Sequence, residues 1–296
     1  MRLASSPLTA RTRSVGFILR APLRLHTLGN YFNRVQEGMH QILAAAGVTS
    51  TFFGSEDALT PEQISGYFPA GHPYQGVILL GEVAPAFIEL LRLHERRLVM
   101  VSGRNPGFCH SVVGNEPQAL AQLVQHLSGL GHRRIGWLGG NVGMGRHETR
   151  FQAFTAAMTV AGLKLEERYT IALRDGDRSE GAEAAHEAIL RAKAKNAPPL
   201  PTAFVCYNGL MAEGAARSFE RAGLPMPRRV SLVAADAPRT ELPGSAITSA
   251  GALPEKLGET AARLVLGSTG APDEPITDLM LPSQLVIGQS TAAPKS

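Results

Sequence analysis

Arg150, Asn208 and Asp236 are the residues of this 296-residue chain whose types and places could do chemistry. Arg150 lies one turn into a segment starting at Arg146, in which Phe151, Phe154, Met158 and Ala161 recur at i, i+3, i+7 and i+10, the spacing of a helix closed by Gly162. Ahead of it, Ile135–Leu138 has the length of a buried strand. Gly139, Gly140, Gly143 and Gly145 follow as a loop with little side-chain bulk, so a ligand can approach its backbone. Asn208 and Asp236 end two further apolar runs, Ala203–Tyr207 and Val230–Ala235. In an open α/β sheet, ligands sit outside the carboxyl ends of the strands, which puts all three residues near one edge. An arginine offers a planar fork of donors, a carboxylate accepts two hydroxyls and an asparagine does both. Two of them also have a plainer reading: Arg150 as a solvated helix arginine, Asn208 as a helix cap.

Other chemistry is missing. The glycine loop lacks the Lys-Ser/Thr of a phosphate loop, with Arg146-His147 in that place, and it is not G-x-G-x-x-G either. Ser, His and Asp occur in no nucleophile elbow. His147-Glu148 lacks the second histidine of a zinc site, and His26, His40, His94, His126, His132 and His186 are scattered and read mostly as surface residues. We expect no enzyme, no cofactor and no bound metal.

The elements that must position these residues alternate along the chain. Strands are expected over Val15–Leu19, Thr49–Phe53, Gly76–Leu80, Leu98–Ser102 and Ser111–Val113, with helices over Tyr31–Ala46, from a Thr60-Pro61-Glu62-Gln63 capping box, and over Pro85–Arg96. The first of these helices has its core positions at Val35, Met39, Ile42 and Leu43. A second unit follows: a helix from Glu116 to Leu130, the central strand and helix, a strand over Tyr169–Leu173, a helix over Ser179–Lys195 with a serine cap, and the strands ending at Asn208 and Asp236 around a helix over Leu210–Ala222. Such alternation gives parallel sheets covered by helices on both faces. The tail holds one helix, Pro254–Leu266, and one strand, Gln284–Ile287, too little for a domain, so they must complete the earlier two.

GHRRIGWLGG (131–140) followed by RFQAF (150–154) resembles the lactose-repressor (LacI/GalR) family of bacterial transcription regulators, whose pattern is G-H-[RK]-[RK]-I-x-[FY]-[IL]-G-G and then R-x-x-G-[FY]. The resemblance runs from about Arg11 to Thr291. It implies a periplasmic-binding-protein-like fold: two doubly wound parallel-sheet lobes joined by three crossovers around a ligand cleft. The expected division is an arm or hinge remnant over 1–13, a first subdomain over 14–114 plus 250–272, and a second over 115–249 plus 273–292. It further implies a small sugar-like effector, a homodimer, a cytoplasmic location, and operator DNA bound through a helix-turn-helix domain upstream of this segment. The basic lead-in with Arg2, Arg11 and Arg13 matches the family's minor-groove hinge, although Pro7 would break a hinge helix.

Arg150, Asn208 and Asp236 match the family's effector-contacting Arg, Asn and first Asp. Tyr31 and Phe32 match its aromatic pair, a platform for a sugar's apolar face or ordinary packing, and Arg104 stands beside the place of a lost acid. The family's N-D is Asn208-Gly209 here, its D-R is Gly103-Arg104, its D-N is Gly114-Asn115, its D-D is Asp236-Ala237, and the glutamine after its T-T-V crossover is Ala252. Acids are lost while Arg104 and Arg150 stay, which points away from a common hexose and toward a sugar acid or sugar phosphate.

Composition fits a globular protein with ample core. The net charge of +4 permits a nucleic-acid partner without arguing for one. Cys109 and Cys206 form no metal or disulfide pattern, and Cys206 reads as a buried structural thiol. No apolar run reaches membrane-spanning length, so no membrane partner is expected. MRLASSPLTARTR has no apolar secretory core, which, with the RTRSVG lead-in, disfavours the alternative of a transporter's solute-binding protein.

Overall fold

The computed structural model describes residues 13–21, 30–237 and 247–295. Residues 1–12 of the basic arm and His26 lie outside the described residues, whereas Arg13 is described and donates from Nη2 to Ala46 O at 3.1 Å. Two compact units emerge, one reaching Val112 and including Pro254–Leu279, the other comprising Val113–Leu253 and the chain from Met280 onward.

In the first unit the elements run β1 (Ser14–Leu19), α1 (Asn30–Ala45), β2 (Thr49–Ser55), α2 (Pro61–Tyr67), β3 (Tyr74–Leu80), α3 (Pro85–Arg92), β4 (Leu98–Val101) and β5 (His110–Gly114). The tail adds α8 (Pro254–Gly267) and β11 (Asp278–Leu281). The sheet order is β11-β5-β4-β3-β1-β2, and the pairs from β5 to β2 are parallel. The Thr60 capping box forms as expected, with the Thr60 hydroxyl accepting from Gln63 N and the Gln63 amide oxygen accepting from Thr60 N. Helix α3 stops four residues short of Arg96, because Glu95 turns back to accept the Arg97 backbone and guanidinium N–H groups. Helices α1 and α8 meet backbone to backbone. A Cβ on Gly38 would lie 2.0 Å from Glu255 O, and one on Gly258 only 1.9 Å from Val35 O. Arg34, buried beside this crossing, donates from Nε and Nη2 to Glu255 at 2.5 and 2.9 Å.

The second unit runs α4 (Glu116–Gly129), β6 (Ile135–Gly139), α5 (Gly145–Val160), β7 (Thr170–Ala172), α6 (Arg178–Lys193), β8 (Ala203–Cys206), α7 (Gly209–Arg221), β9 (Ser231–Ala234), β10 (Thr248–Gly251) and β12 (Gln284–Val286). Its sheet order is β12-β10-β9-β8-β6-β7, parallel except for antiparallel β12. Trp137, Phe154, Phe204 and Phe219 fill the core. Asp177, not a serine, caps α6: its carboxylate accepts from Glu180 N at 2.9 Å.

Three tail features depart from expectation. β10 belongs to the second unit's sheet, and its residues TSAG are too small to read as an apolar run although all four are buried. β11 is a further strand, short and half-exposed, hydrogen-bonded beside β5 in the first sheet. The unit boundaries accordingly fall at 112/113, 253/254 and 279/280. The histidines are not all at the surface either. His132 is buried, its Nδ1 2.8 Å from the Thr202 hydroxyl and its Nε2 2.9 Å from Ala292 O, which ties the C-terminal segment to the β6 approach.

Candidate functional site

In the second sheet the strand order reverses between β6 and β8, because the chain leaves β6 toward β7 on one side and returns through β8 and β9 on the other. Such a reversal opens a crevice at the carboxyl ends of the two strands. The Gly140–Met144 loop after β6, Tyr207 and Asn208 after β8, and Asp236 after β9 all stand there. The sequence-expected residues Arg150, Asn208 and Asp236 are therefore brought to one edge.

Their side chains are committed to different degrees. Asn208 is the N-cap of α7, its Oδ1 accepting from Met211 N at 2.8 Å while Nδ2 donates to Gly176 O at 2.8 Å. The capping reading of this residue thus holds, and the amide also pins the β7–α6 loop. Asp236 is half-buried; Oδ2 accepts from Gly209 N at 3.0 Å and Oδ1 from Ala237 N at 2.9 Å. Those bonds set the carboxylate against the N-terminus of α7, where the helix dipole favours negative charge. Each oxygen keeps a second lone pair for a further donor.

Arg150 differs most from expectation. The inward face of α5 carries His147, Arg150, Ala153, Phe154, Ala157 and Met158, whereas Phe151 is half-buried and Ala161, past the helix end, is exposed. Arg150 is 2% exposed. Its Nε and Nη2 donate to Glu116 at 2.8 and 3.3 Å, Nη1 donates to Tyr207 O at 2.5 Å, and its Cζ lies 4.8 Å from the centre of the Tyr207 ring. An arginine can turn inward because a carboxylate meets it there; breaking such a buried pair from one side costs about 3–5 kcal/mol.

Glu116 is the residue of this candidate site that sequence reasoning missed. It opens α4 after the Asn115 cap and also accepts Arg146 Nε at 3.0 Å. Burial alone would push its carboxyl up, but the two guanidiniums outweigh that and hold it below the usual carboxylate range. In sequence it reads as an ordinary acid in a helix's first turn. Only the packing of α4 against α5 brings it to Arg150. The acid absent at Gly114 is thus replaced from two residues further on. Gly114 has in turn lost the room for a side chain, since a Cβ there would sit 3.0 Å from the Cβ of Ala252. Two departures from the family pattern pack against each other. The expectation of uncompensated positive charge at Arg150 is corrected by the same observation.

The other expected residues lie at the carboxyl edge of the first unit's sheet. Tyr31 and Phe32, both half-buried, meet edge to face at 5.1 Å, and the Tyr31 hydroxyl is 2.6 Å from that of Ser102. Ser102 ends β4 with φ of 63°, a left-handed turn that aims the chain toward exposed Arg104. Glu56 holds this edge together by accepting from Ala21 N at 3.2 Å and Ala84 N at 2.7 Å, joining the loops after β1 and β3. Among the described residues no group of three or more His, Cys, Asp or Glu is placed to hold a metal ion, and no helix is long and apolar enough to cross a membrane. Cys109 and Cys206 are buried and unpaired; burial, with Asp278 nearby, pushes the Cys109 thiol up to about 12, and burial raises that of Cys206 as well.

Two doubly wound α/β units, each finished by a piece of the tail, define the class of periplasmic-binding-protein-like domains of type I. A family model described as a periplasmic binding protein-like domain matches residues 124–291, more than half of the chain, and the chain belongs to that family. It is 28% identical over 246 residues to the HTH-type transcriptional repressor PurR of Erwinia tasmaniensis, spanning 80% of this chain and 69% of that one. Among solved structures, a LacI family transcriptional regulator from Mycobacterium smegmatis superposes with a TM-score of 0.78 at 21% identity, over 95% of this chain and all (100%) of the other. One from Enterococcus faecium with bound ribose gives 0.76 at 20% identity, over 96% and 100%. The named relatives are regulators, not enzymes.

Proposed function

We propose that this chain is the ligand-sensing core of a bacterial transcriptional regulator, taking a small hydroxyl-rich effector at the carboxyl edge of its second sheet. The observation that carries the reading is Asp236. It is a half-buried carboxylate fixed by two backbone N–H groups at a strand-order reversal, with lone pairs left for ligand hydroxyls. Asn208 and the Gly140–Met144 loop frame it; Tyr31, Phe32 and Arg104 are the candidate ligand contacts of the first unit. A sugar is the effector class favoured by the ribose-bound regulator of similar fold. Sites built to bond hydroxyls discriminate sharply, because an analogue without them leaves buried polar groups unpaired.

In this reading the effector binds one conformation of the core better than another, and that difference is passed to a DNA-binding domain. A homodimer would turn the conformational difference into the spacing of two DNA-binding units, which operator half-sites demand. The bacterial cytoplasm is the compartment such a regulator works in.

Binding is tested by thermal unfolding against ribose, glucose, cellobiose, gluconate and ribose 5-phosphate. A ligand at 100 times its Kd adds about 2.7 kcal/mol to stability, which is roughly 5–10 °C in a chain of this size. Asp236→Ala is expected to remove the shift. A shift that survives Asp236→Ala unchanged contradicts the proposed site.

A further inference from the structure

We propose that Glu116 is the specificity-determining residue of this edge: an internal carboxylate that occupies Arg150 and so makes the site accept uncharged hydroxyl-bearing ligands and refuse anionic ones. The inference rests on the effector site proposed above and narrows its ligand class.

Arg150 is the one cation buried at this edge among the described residues, and its fork of donors is the natural receptor for a carboxylate or phosphate. The position is already filled. Glu116 takes Nε and Nη2 from the side, Tyr207 O takes Nη1 from the end, and the Tyr207 ring lies against the guanidinium. An incoming anion would have to displace a carboxylate held by two arginines and strand it in a buried place. Nearby, the accessible acid is Asp236, whose remaining lone pairs attract hydroxyl donors and whose charge repels anions. Arg146, Arg150, Glu116 and Asp236 together carry two positive and two negative charges. These four charges balance, whereas removing the Glu116 charge tips the group to net positive and releases the Nε and Nη2 donors of Arg150 as a bidentate receptor.

Inorganic phosphate, the smallest anion that exploits a released guanidinium, is the probe. Calorimetric titration of phosphate at pH 7 is run on the full chain as wild type, Glu116→Gln, and Glu116→Gln with Arg150→Met. The wild type is expected to take up no phosphate at millimolar concentration. Glu116→Gln is expected to gain at least tenfold in affinity, and the double variant to lose that gain. Phosphate binding by the wild type that Arg150→Met abolishes overturns the inference, and so does a folded Glu116→Gln protein that gains nothing.

Should Glu116→Gln not fold, the wild type still decides. The Arg150 Nε–H resonance should be protected from solvent exchange and unmoved by phosphate; a phosphate-dependent shift overturns the inference. Neutral ribose and glucose are titrated in parallel. A silent neutral panel beside a phosphate gain in Glu116→Gln leaves Glu116 as the charge gate and refutes the effector reading instead, so the two failures are distinguishable.

Discussion

The site turns on how each polar side chain is already engaged. Among the described residues Asp236 is held by backbone N–H groups, so Asp236→Ala is expected to abolish effector binding while costing little stability, about 1–2 kcal/mol for the lost bonds to Gly209 and Ala237. Glu116 is the opposite case. Glu116→Ala removes the carboxylate from buried Arg150 and is expected to destabilise the second unit by about 3–5 kcal/mol, read from the thermal midpoint. Its depressed pKa also gives a pH signature: the folded state prefers the ionised form, so the stabilisation is present above the unfolded carboxylate pKa, about 4.3, and is lost as pH falls through and below it. His132 titrates higher. Burial above all, and nearby His126, lower its pKa while the bond to Ala292 O opposes the shift. The neutral form is therefore favoured in the folded state, and stability is full above the unfolded histidine pKa of about 6.5 and falls as pH drops below it. His132→Gln is expected to flatten the melting profile below about pH 6.5, measured against the wild-type slope. Asn208, Asp236 and the loop glycines were legible in the sequence because strand ends are marked by composition. Arg150's inward turn was not, since nothing local to RFQAF names the carboxylate that makes it tolerable.

At the level of elements, the strands and helices announced themselves where apolar runs and caps were strong. The Thr60 box and Gly162, with φ of 66°, are read directly from residue type. The missed strands had no such signal: β10 is built of small residues, and β11 is four residues at a sheet edge. The apolar spacing of Phe151, Phe154 and Met158 marks helix α5, but its buried face is turned to include Arg150, which an ion pair with Glu116 recruits to it. The α1–α8 crossing depends on Gly38 and Gly258, where an added Cβ would come within 2.0 and 1.9 Å of the facing backbone carbonyl oxygens. Gly258→Ala cannot be absorbed by a side-chain shift, as the obstacle is the Val35 carbonyl, and is expected to lower stability by about 1–3 kcal/mol. Hydrogen exchange should place the loss in α1, α8 and the strands beneath them and leave β6 and β8 protected.

On the scale of the whole molecule, the doubly wound units were legible from alternation alone, and the tail's role in completing them followed from its being too short for a domain. What the sequence could not convey is charge balance. It lists an acid lost at Gly114, and only the fold returns one at Glu116, a residue apart from every pattern that marked the site. The most direct test of the account is the effector panel run on the wild type and on Asp236→Ala by calorimetry. The account predicts that a neutral sugar binds the wild type, that its acid or phosphate analogue binds far more weakly, and that Asp236→Ala binds neither. An acid or phosphate that binds the wild type more tightly than the neutral sugar, or a sugar that binds Asp236→Ala undiminished, would contradict it.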